Sequence, residues 1–448
     1  MFPCGCSRTF GSSTALAQHQ NDKHKIFVGS ARQNLPPPSA SMAPAKQPLA
    51  RHPGDRWMWK HARTTKAQHV ISEANLEPCS NSVTSDPGYQ LICTYNWQDS
   101  KKASIEIPGF APIWQHVPLP IALPPDKGTY YIDQSEARIP EYPFEPVFRA
   151  AEVMSPVINF DDIDIIINRN SLRKFLDFCA GIVQVSFCVN LSIVHNTLFV
   201  ERCEKSARHL IRGAGGTGWG HNFEKAFTKI SKPEDRSTQH HRVLKYAMGG
   251  LNCLVRFEVD ACYEDPGERG ELVGDGVQND LALELGNLSI GSTSGNNEIG
   301  PTQTSDTRKG LRIMPQSTAA EIKTSASRKT LGSCLPQLWF GRTPWLIVGH
   351  HVKGTFDRVH IANAEHQFAA WESRHQIKLR KMVTLLSQLR EAVKMSGSKR
   401  CIAICEKGTN PRELAVFEST FLRDALPSDL IRKFWSKRDV ERASPSSV

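Results

Sequence analysis

Residues 253–260 read CLVRFEVD, and residues 319–325 read AAEIKTS. Each apolar run carries charged residues two positions apart, Glu258 and Asp260 in the first and Glu321 and Lys323 in the second. Because side chains at positions i and i+2 of a strand point to the same face, each pair is predicted to project together. The apolar context predicts largely buried strands, where carboxylates are costly unless they are paired or bound to a metal.

A further acidic residue, Glu224, closes the stretch GHNFE at residues 220–224. Hard cations such as Mg²⁺ and Mn²⁺ prefer oxygen ligands, polarise a phosphoryl oxygen and lower the pKa of a bound water. Four carboxylates with one lysine therefore predict a site for metal-dependent phosphodiester cleavage. The alternative is that such pairs arise by chance among the 45 acidic residues and form solvated faces or structural ion pairs.

The N-terminal stretch carries a second candidate metal site. Two thiolates and two imidazoles can close a tetrahedral zinc site. The predicted zinc ligands are Cys4, Cys6, His19 and His24. Phe2, Phe10 and Leu16 supply the apolar positions that a small ββα finger of the C2H2 type needs for its core. Only one residue separates the cysteines, which tightens the knuckle, and the alternative is a disordered N-terminus with adventitious Cys and His.

Composition favours a nucleic-acid partner. The 448 residues include 55 Lys and Arg against 45 Asp and Glu, a net charge of +10, and an excess of positive charge suits a polyanion. The 12 cysteines are scattered, which indicates a reduced, intracellular protein of the nucleus or cytoplasm rather than a disulfide framework. We expect no signal peptide and no membrane span, because no apolar run is long enough.

Shifts in composition divide the chain. We predict a finger at residues 1–25, a mostly disordered linker at 26–87, a folded domain at 88–439 and a disordered tail at 440–448. A Gly-, Ser- and Asn-rich insertion at about 265–308, predicted to be disordered, interrupts the domain. Within the linker, the stretch RWMWK at 56–60 either stacks on nucleic-acid bases or docks on the main domain, and docking is favoured.

Strands and helices follow one another without regular βαβ alternation, which predicts an α+β fold with a mixed sheet flanked by helices. Predicted strands include residues 253–262 and the hairpins 182–189 with 197–200 and 400–405 with 413–417. Apolar residues at three- and four-residue spacing predict a long helix over 365–395. Shorter helices are predicted at 172–178 and 223–230.

Residues 168–439 resemble the decapping and exoribonuclease (DXO-type) family, a branch of the PD-(D/E)xK nuclease fold. The motifs that carry the resemblance are, in order, RNSLRK at 169–174, GHNFE at 220–224, EVD at 258–260, EIKTS at 321–325, PQLW at 336–339 and LIVG at 346–349. His221 stands where that family has an aromatic residue. This departure, with the insertion beside Asp260, bears on which cap would be preferred.

The resemblance implies a function. Two Mg²⁺ or Mn²⁺ ions would be held by four carboxylates, those of Glu224, Glu258, Asp260 and Glu321. The carbonyl of Ile322 is a further candidate ligand. Lys323 would contact the attacking water or the scissile phosphate, Arg169 would meet a substrate phosphate, and Gln337 would line the site. The reaction would be hydrolysis at RNA 5′ ends, which removes incomplete or non-standard caps, with 5′–3′ exonuclease action as an additional activity.

Two alternative functions stand beside this one, and the role of one further stretch stays open. The fold is either active or an inert binding module, in which the finger and the basic stretch 374–400 hold nucleic acid or a protein partner. A nuclease acting on DNA is the other alternative. The stretch HHR at 240–242 either reaches the substrate or is structural.

The chain is also similar to a group of filamentous-fungal proteins, some of them labelled geranylgeranyl diphosphate synthase. Such synthases hold diphosphate through Mg²⁺ on two DDxxD helices. This chain offers only DDID at 161–164, so the sequence argues against that activity.

Overall fold

The computed structural model describes residues 53–64, 66–213, 218–230, 236–264, 286–289, 313–326 and 331–435, together with two short N-terminal strands. Strands β1 (Phe2–Pro3) and β2 (Thr9–Phe10) pair antiparallel in a unit that spans Met1–Arg51. The predicted zinc ligands Cys4, Cys6, His19 and His24 lie outside the described residues, so the finger stays a prediction. All remaining elements belong to a second unit, His52–Val448.

The larger of two sheets in this unit has a parallel core and antiparallel flanks. Strands are numbered along the chain. In spatial order its described strands are β17 (Gly286–Ser289), β5 (Ser104–Ile107), β4 (Gln90–Gln98), β14 (Ser237–Met248), β15 (Leu251–Glu258), β9 (Ile165–Asn168), β11 (Thr197–Cys203), β10 (Phe187–Val194), β21 (Arg400–Cys405), β22 (Glu413–Glu418) and β3 (His69–Ser72). Only β9 runs parallel to both of its neighbours, β15 and β11. Its buried isoleucines are typical of a strand covered on both faces.

The second sheet is smaller. Its strands in spatial order are β13 (Thr228–Lys229), β6 (Ile113–Trp114), β16 (Ala261–Cys262), β18 (Ala319–Ser325), β19 (Trp345–Val352), β20 (Thr355–Asn363) and β7 (Ile121–Ala122). β18 and β19 are parallel, and β16 is antiparallel to β18. A separate two-stranded ribbon pairs β8 (Gly128–Tyr131) with β12 (Arg208–Ile211).

Helices flank the sheets. They are α1 (Gln134–Arg138), α2 (Glu145–Met154), α3 (Arg169–Cys179), α4 (Gly220–Phe227), α5 (Leu335–Gly341), α6 (Phe368–Met395) and α7 (Ser428–Trp435). The long predicted helix is confirmed as α6, preceded by a short 3₁₀ turn, and its apolar stripe is buried against the core. No helix in the ranges listed above combines the length and hydrophobicity needed to cross a bilayer.

The α+β class with mixed sheets flanked by helices is therefore confirmed, with two main sheets where the sequence predicts one. Both predicted hairpins are also confirmed, as β10–β11 and β21–β22. The helix predicted over 223–230 begins earlier, at Gly220, and ends at Phe227.

The folded body begins earlier than the predicted boundary at residue 88. Pro53–Trp59 forms a 3₁₀ helix whose Met58 is fully buried against Ile402 and Phe417. β3 then adds the last strand beside β22. The docking interpretation of residues 56–60 is thus confirmed, because two tryptophans and a methionine bury enough apolar surface to hold a segment of otherwise polar composition. Within the predicted insertion, the described residues Gly286–Ser289 pair with β5.

Candidate active site

The candidate site lies where the chain passes from the larger sheet into the second sheet. β15 ends at Glu258 and β16 begins at Ala261, so the strand predicted through residue 262 is interrupted. Val259 N still donates to His240 O of β14 at 3.0 Å. Asp260 Oδ2 instead accepts a hydrogen bond from Ile322 N of β18 at 2.8 Å. The Asp260 carboxylate therefore takes the place of a backbone acceptor and hydrogen-bonds the segment between β15 and β16 to β18.

Glu321 and Lys323 project together from β18, as the i and i+2 spacing predicts. Lys323 Nζ donates to Glu321 Oε1 and lies 4.0 Å from Asp260 Oδ2. The Glu321 side chain is 2% exposed. The lysine thus links two of the four predicted carboxylates across the junction between the sheets.

Two further predicted residues meet Glu321. Arg169, the first residue of α3, places Nη2 at 3.1 Å from Glu321 Oε2. Gln337 of α5 donates through Nε2 to Glu321 Oε1 and accepts at Oε1 from Arg173 Nη1 at 3.0 Å. Burial alone would raise the pKa of Glu321, but the positive charges of Lys323 and Arg169 outweigh it and lower that pKa.

Glu224 lies on α4, a helix that packs closely against β18. This close packing is possible because the neighbouring strand β19 has a glycine where the helix contacts it. A Cβ on Gly349 would lie 2.5 Å from the ring of Phe223, so a larger residue would push the helix away. Asp126 caps the helix, its carboxylate accepting from His221 N at 3.2 Å and from Asn222 N at 2.9 Å. No local sequence pattern predicts this cap, because Asp126 lies about a hundred residues before the helix.

Three of the four carboxyls have raised pKa values. Burial, then the charges of Asp260 and Glu321, raise the pKa of Glu258 to about 8. Burial, then Glu321, raise the pKa of Asp260 to about 6. Burial, then Asp260 and Glu258, raise the pKa of Glu224 well above its usual value, although 37% of its side-chain surface is exposed at the concave surface. The four carboxylates therefore act on one another electrostatically, as like charges in one site do.

This donor set fits a hard divalent cation by its chemistry. It offers carboxylate oxygens, and the buried Glu321 Oε2 has the Arg169 ion pair at 3.1 Å but no well-directed hydrogen bond from a described residue. In the present arrangement no three His, Cys, Asp or Glu side chains within the described part of the chain lie close enough together to hold a metal ion. Lys323 instead provides the positive charge between Glu321 and Asp260.

A polar cleft opens beside the carboxylates, with a volume of about 140 Å³. Its lining includes Glu258, Gln337 and four arginines, which are Arg169, Arg173, Arg202 and Arg256. Arg256 stands two positions before Glu258 on β15, a spacing by which the sequence could have identified it. Arg202 and the Asp133 carboxylate near it come from distant segments and gave no sequence signal. Four guanidinium groups in one small cleft suit a phosphorylated ligand.

The polar stretch 240–242 divides between the two roles that the sequence left open. His241 lines the cleft, pairs across the ladder with Glu258 and stacks on Tyr95 with ring centroids 5.1 Å apart. Burial lowers the pKa of His241 to about 3, so this imidazole is neutral at physiological pH. His240 and Arg242 are buried behind the cleft, where Arg242 Nε donates to His240 Nε2 at 3.1 Å, and their role is structural.

Two other sequence features have local roles. His221 lies flat on Tyr130, with ring centroids 3.7 Å apart, so it stacks as an aromatic residue would. The acidic stretch 161–164 does not form a helix that could hold diphosphate. Asp161 and Asp162 lie in a single 3₁₀ turn, and Asp164 pairs with Arg390 at 2.9 Å.

With this geometry in place, the chain was compared with known proteins. Residues 65–435 match a family model described as "Domain of unknown function (DUF8563)". The chain belongs to the DUF8563 family. The match includes β3 and every residue of the candidate site and its cleft. A search of the curated proteins found no match to this DUF8563 chain.

Several solved structures are similar to this DUF8563 protein. The S. pombe Rai1 structure is 12% identical, covers 79% of this chain and 99% of its own, and has a TM-score of 0.49. Candida albicans Rai1 in complex with pU5-Mn²⁺ is 11% identical, with 82% and 99% coverage and a TM-score of 0.46. K. lactis Dxo1 in complex with manganese is 9% identical, with 80% and 96% coverage and a TM-score of 0.45.

Proposed function

We propose that this DUF8563 protein is a divalent-metal-dependent hydrolase that acts on RNA 5′ ends, as a decapping enzyme or pyrophosphohydrolase of the DXO type with additional 5′–3′ exonuclease action. One observation carries the proposal. Lys323 contacts the carboxylates of Glu321 and Asp260, Glu258 beside them lines a cleft that also holds four arginines, and Glu224 of α4 lies within electrostatic range of the same group. A purely structural ion-pair network would not require an adjoining polar cleft.

Each residue has a role in this proposal. Glu224, Glu258, Asp260 and Glu321 would hold Mg²⁺ or Mn²⁺, which supplies Lewis acidity at the phosphoryl group. Lys323 Nζ orients the attacking water or the scissile phosphate. Arg169 and Arg173 bind substrate phosphate oxygens, and Gln337 fixes the orientation of Glu321 between them.

The size and charge of the cleft favour the end of a strand over its middle. A space of about 140 Å³ is smaller than most small-molecule sites and cannot admit a duplex. Its arginines suit the several negative charges of a terminal triphosphate or a cap. The neutral imidazole of His241 can exchange hydrogen bonds with an uncharged group such as a ribose hydroxyl.

The test is a panel of short RNAs with 5′-triphosphate, 5′-monophosphate or NAD-capped ends, and DNAs with matching phosphorylated ends, incubated with Mn²⁺. We expect product release from at least one RNA end. We expect Glu258→Gln to reduce the rate at least about 100-fold, because a ligand to the metal is lost. Glu391→Gln, which changes a 62% exposed glutamate on α6, is the matched control. Activity retained in Glu258→Gln, or no product from any RNA end, would contradict the proposal, and cleavage of DNA alone would make the chain a DNA nuclease.

A second candidate function is an inert nuclease-like fold that binds nucleic acid or a protein. The observation that favours it is the position of Lys323, whose ammonium group already neutralises Glu321 and Asp260. Calorimetry with Mn²⁺ separates the two. A hydrolase takes up Mn²⁺ with heat that Glu258→Gln removes, whereas the inert fold takes up none at these carboxylates.

A further inference from the structure

The two-stranded ribbon of β8 and β12 borders the candidate cleft. Here the ribbon means residues 127–132 and 205–213. β8 leads directly into cleft-lining Asp133 and Gln134, and β12 follows cleft-lining Arg202 by a few residues. Arg202 also donates through Nη1 to Ile132 O at 2.8 Å, so the rim of the cleft and the base of the ribbon are joined.

The charge of the ribbon has one sign. Neither of its segments contains Asp or Glu. Its exposed basic side chains are Lys127, Lys205, Arg208 and Arg212. Three acidic residues directly flank these segments. Asp126 and Asp133 are buried, and Glu204 pairs with Lys174 and Arg202. A cationic surface at the mouth of a polar cleft is the charge pattern that complements a polyanion.

The two faces of the ribbon have different neighbours. Tyr130 stacks on His221 of α4, which anchors one face beside Glu224. On the other face Arg208 pairs across the ladder with Tyr131, and its guanidinium carbon lies 5.5 Å from the centre of that ring. Tyr131 is contacted at 5.6 Å by Arg138 as well. The tyrosine therefore holds the exposed Arg208 in place, so that less side-chain entropy is lost when it binds an anion.

Arg208 and Leu210 lie two positions apart on β12, and both are exposed, Leu210 to 59%. A guanidinium beside an apolar side chain matches the alternation of phosphate and base along an unpaired strand. A duplex would offer phosphates without accessible bases. The observations therefore favour a single strand as the occupant.

We propose that the ribbon binds the phosphodiester backbone of the single-stranded nucleic acid whose 5′ end enters the cleft, with Arg208 as its principal phosphate contact. This inference rests on the proposed function. The inference extends the proposed function by assigning a surface that the strand contacts outside the cleft. It also predicts that longer strands bind more tightly than very short ones.

The test measures binding of fluorescein-labelled 12-nucleotide RNA and DNA by anisotropy, in EDTA so that no cleavage occurs, over a range of salt concentrations. We expect Arg208→Ala to weaken binding about threefold to fivefold and to reduce the log–log salt slope by about 0.7, the value for one phosphate contact on a single strand. Arg208→Lys keeps the charge and should keep the slope. Tyr131→Leu should weaken binding while leaving the slope near the wild-type value, because the cation remains but is held less firmly.

Lys407→Ala is the matched control, because it also removes one exposed positive charge, from the turn between β21 and β22. We expect the affinity and the salt slope of Lys407→Ala to equal those of the wild type. Equal melting temperatures of all variants establish that the fold is intact.

Two outcomes separate the ribbon from the hydrolase. If the wild type binds single-stranded RNA or DNA but Arg208→Ala has the same affinity and salt slope, the ribbon does not bind the strand and the hydrolase proposal stands. If the wild type binds neither RNA nor DNA, both proposals fail. If only one of RNA and DNA loses affinity, the ribbon binds that strand alone.

Discussion

The four carboxylates of the candidate site differ in how their charge is balanced. Glu321 contacts Lys323, Arg169 and Gln337, and its pKa is lowered. Glu258 and Asp260 are buried beside it with less compensation, and their pKa values rise to about 8 and about 6. Glu321 is therefore ionised by its neighbours, while Glu258 holds a proton at neutral pH that a cation would displace.

This asymmetry predicts how stability depends on pH. In the folded protein both pKa values exceed those of the unfolded chain, so the folded state binds protons more tightly. The stability that these two carboxyls contribute to the metal-free protein should therefore be lost as pH rises from about 4, near the unfolded carboxyl pKa, to about 8, near the folded pKa of Glu258. The measurement is the melting temperature in EDTA at several pH values in this window.

Mn²⁺ should raise the melting temperature more at pH 8 than at pH 5, because it competes with protons for the same oxygens. Glu258→Gln should remove the contribution of this carboxyl, so its melting temperature should gain on that of the wild type as pH rises, while the exposed-site control Glu391→Gln should follow the wild type. A difference between wild-type and Glu258→Gln melting temperatures that is the same at pH 5 and pH 8 without metal would contradict the assigned charge balance.

How much of this site the sequence could predict depends on the range of each contact. The i and i+2 spacing placed Glu321 and Lys323 on one face correctly, because that relation is local to β18. Glu258 and Asp260 do not follow this local i and i+2 relation. The strand ends at Glu258, and Asp260 is held by the amide of Ile322, some sixty residues away. Arg202 and Asp133 enter the cleft through tertiary packing, which no spacing in their own segments encodes.

At the level of elements, the position of α4 decides whether Glu224 belongs to the site. The helix begins at Gly220 rather than at the predicted residue 223, because Asp126 caps it from a remote loop. Its inner side chain, Phe223, then lies over Gly349 of β19. Neither contact is visible in the stretch GHNFE itself, although the glycine in LIVG is a signal that something approaches the strand closely.

Gly349→Ala tests this arrangement. The new Cβ would lie 2.5 Å from the Phe223 ring, so either the ring or the helix must move. We expect a loss of about 1–3 kcal/mol in the free energy of unfolding, together with weaker Mn²⁺ binding because Glu224 is displaced. Denaturant unfolding and calorimetry measure the two effects.

Gly397→Ala is the control, since a Cβ there meets no atom within 4 Å. It should change stability by no more than about 0.5 kcal/mol and leave Mn²⁺ binding unaltered. If Gly349→Ala bound Mn²⁺ with wild-type affinity despite its lower stability, Glu224 would not be a ligand of the metal.

At the scale of the whole molecule, the segment before residue 88 completes the larger sheet and covers α6. β3 pairs with β22, and Met58 fills a pocket on the outer face of β21 and β22. Val83 is fully buried, and its backbone N–H donates to Gln376 Oε1 of α6 at 3.1 Å. Most residues in this segment are polar, and only a few of its side chains bury apolar surface. Composition alone therefore placed the start of the folded domain too late, at residue 88.

Two truncations therefore have opposite outcomes. A chain of residues 53–448 should melt at nearly the same temperature as residues 1–448, because it keeps every described element of the second unit. A chain of residues 88–448 loses β3, the 3₁₀ helix and the buried Met58, and exposes both the edge of β22 and part of α6. We expect it to unfold at a much lower temperature and to aggregate through the unpaired edge.

Met58→Ala in the full chain, which creates a cavity without removing the strand, should cost about 2–5 kcal/mol in the free energy of unfolding. If residues 88–448 alone were as stable as the full chain, the early segment would be a dispensable addition to the fold.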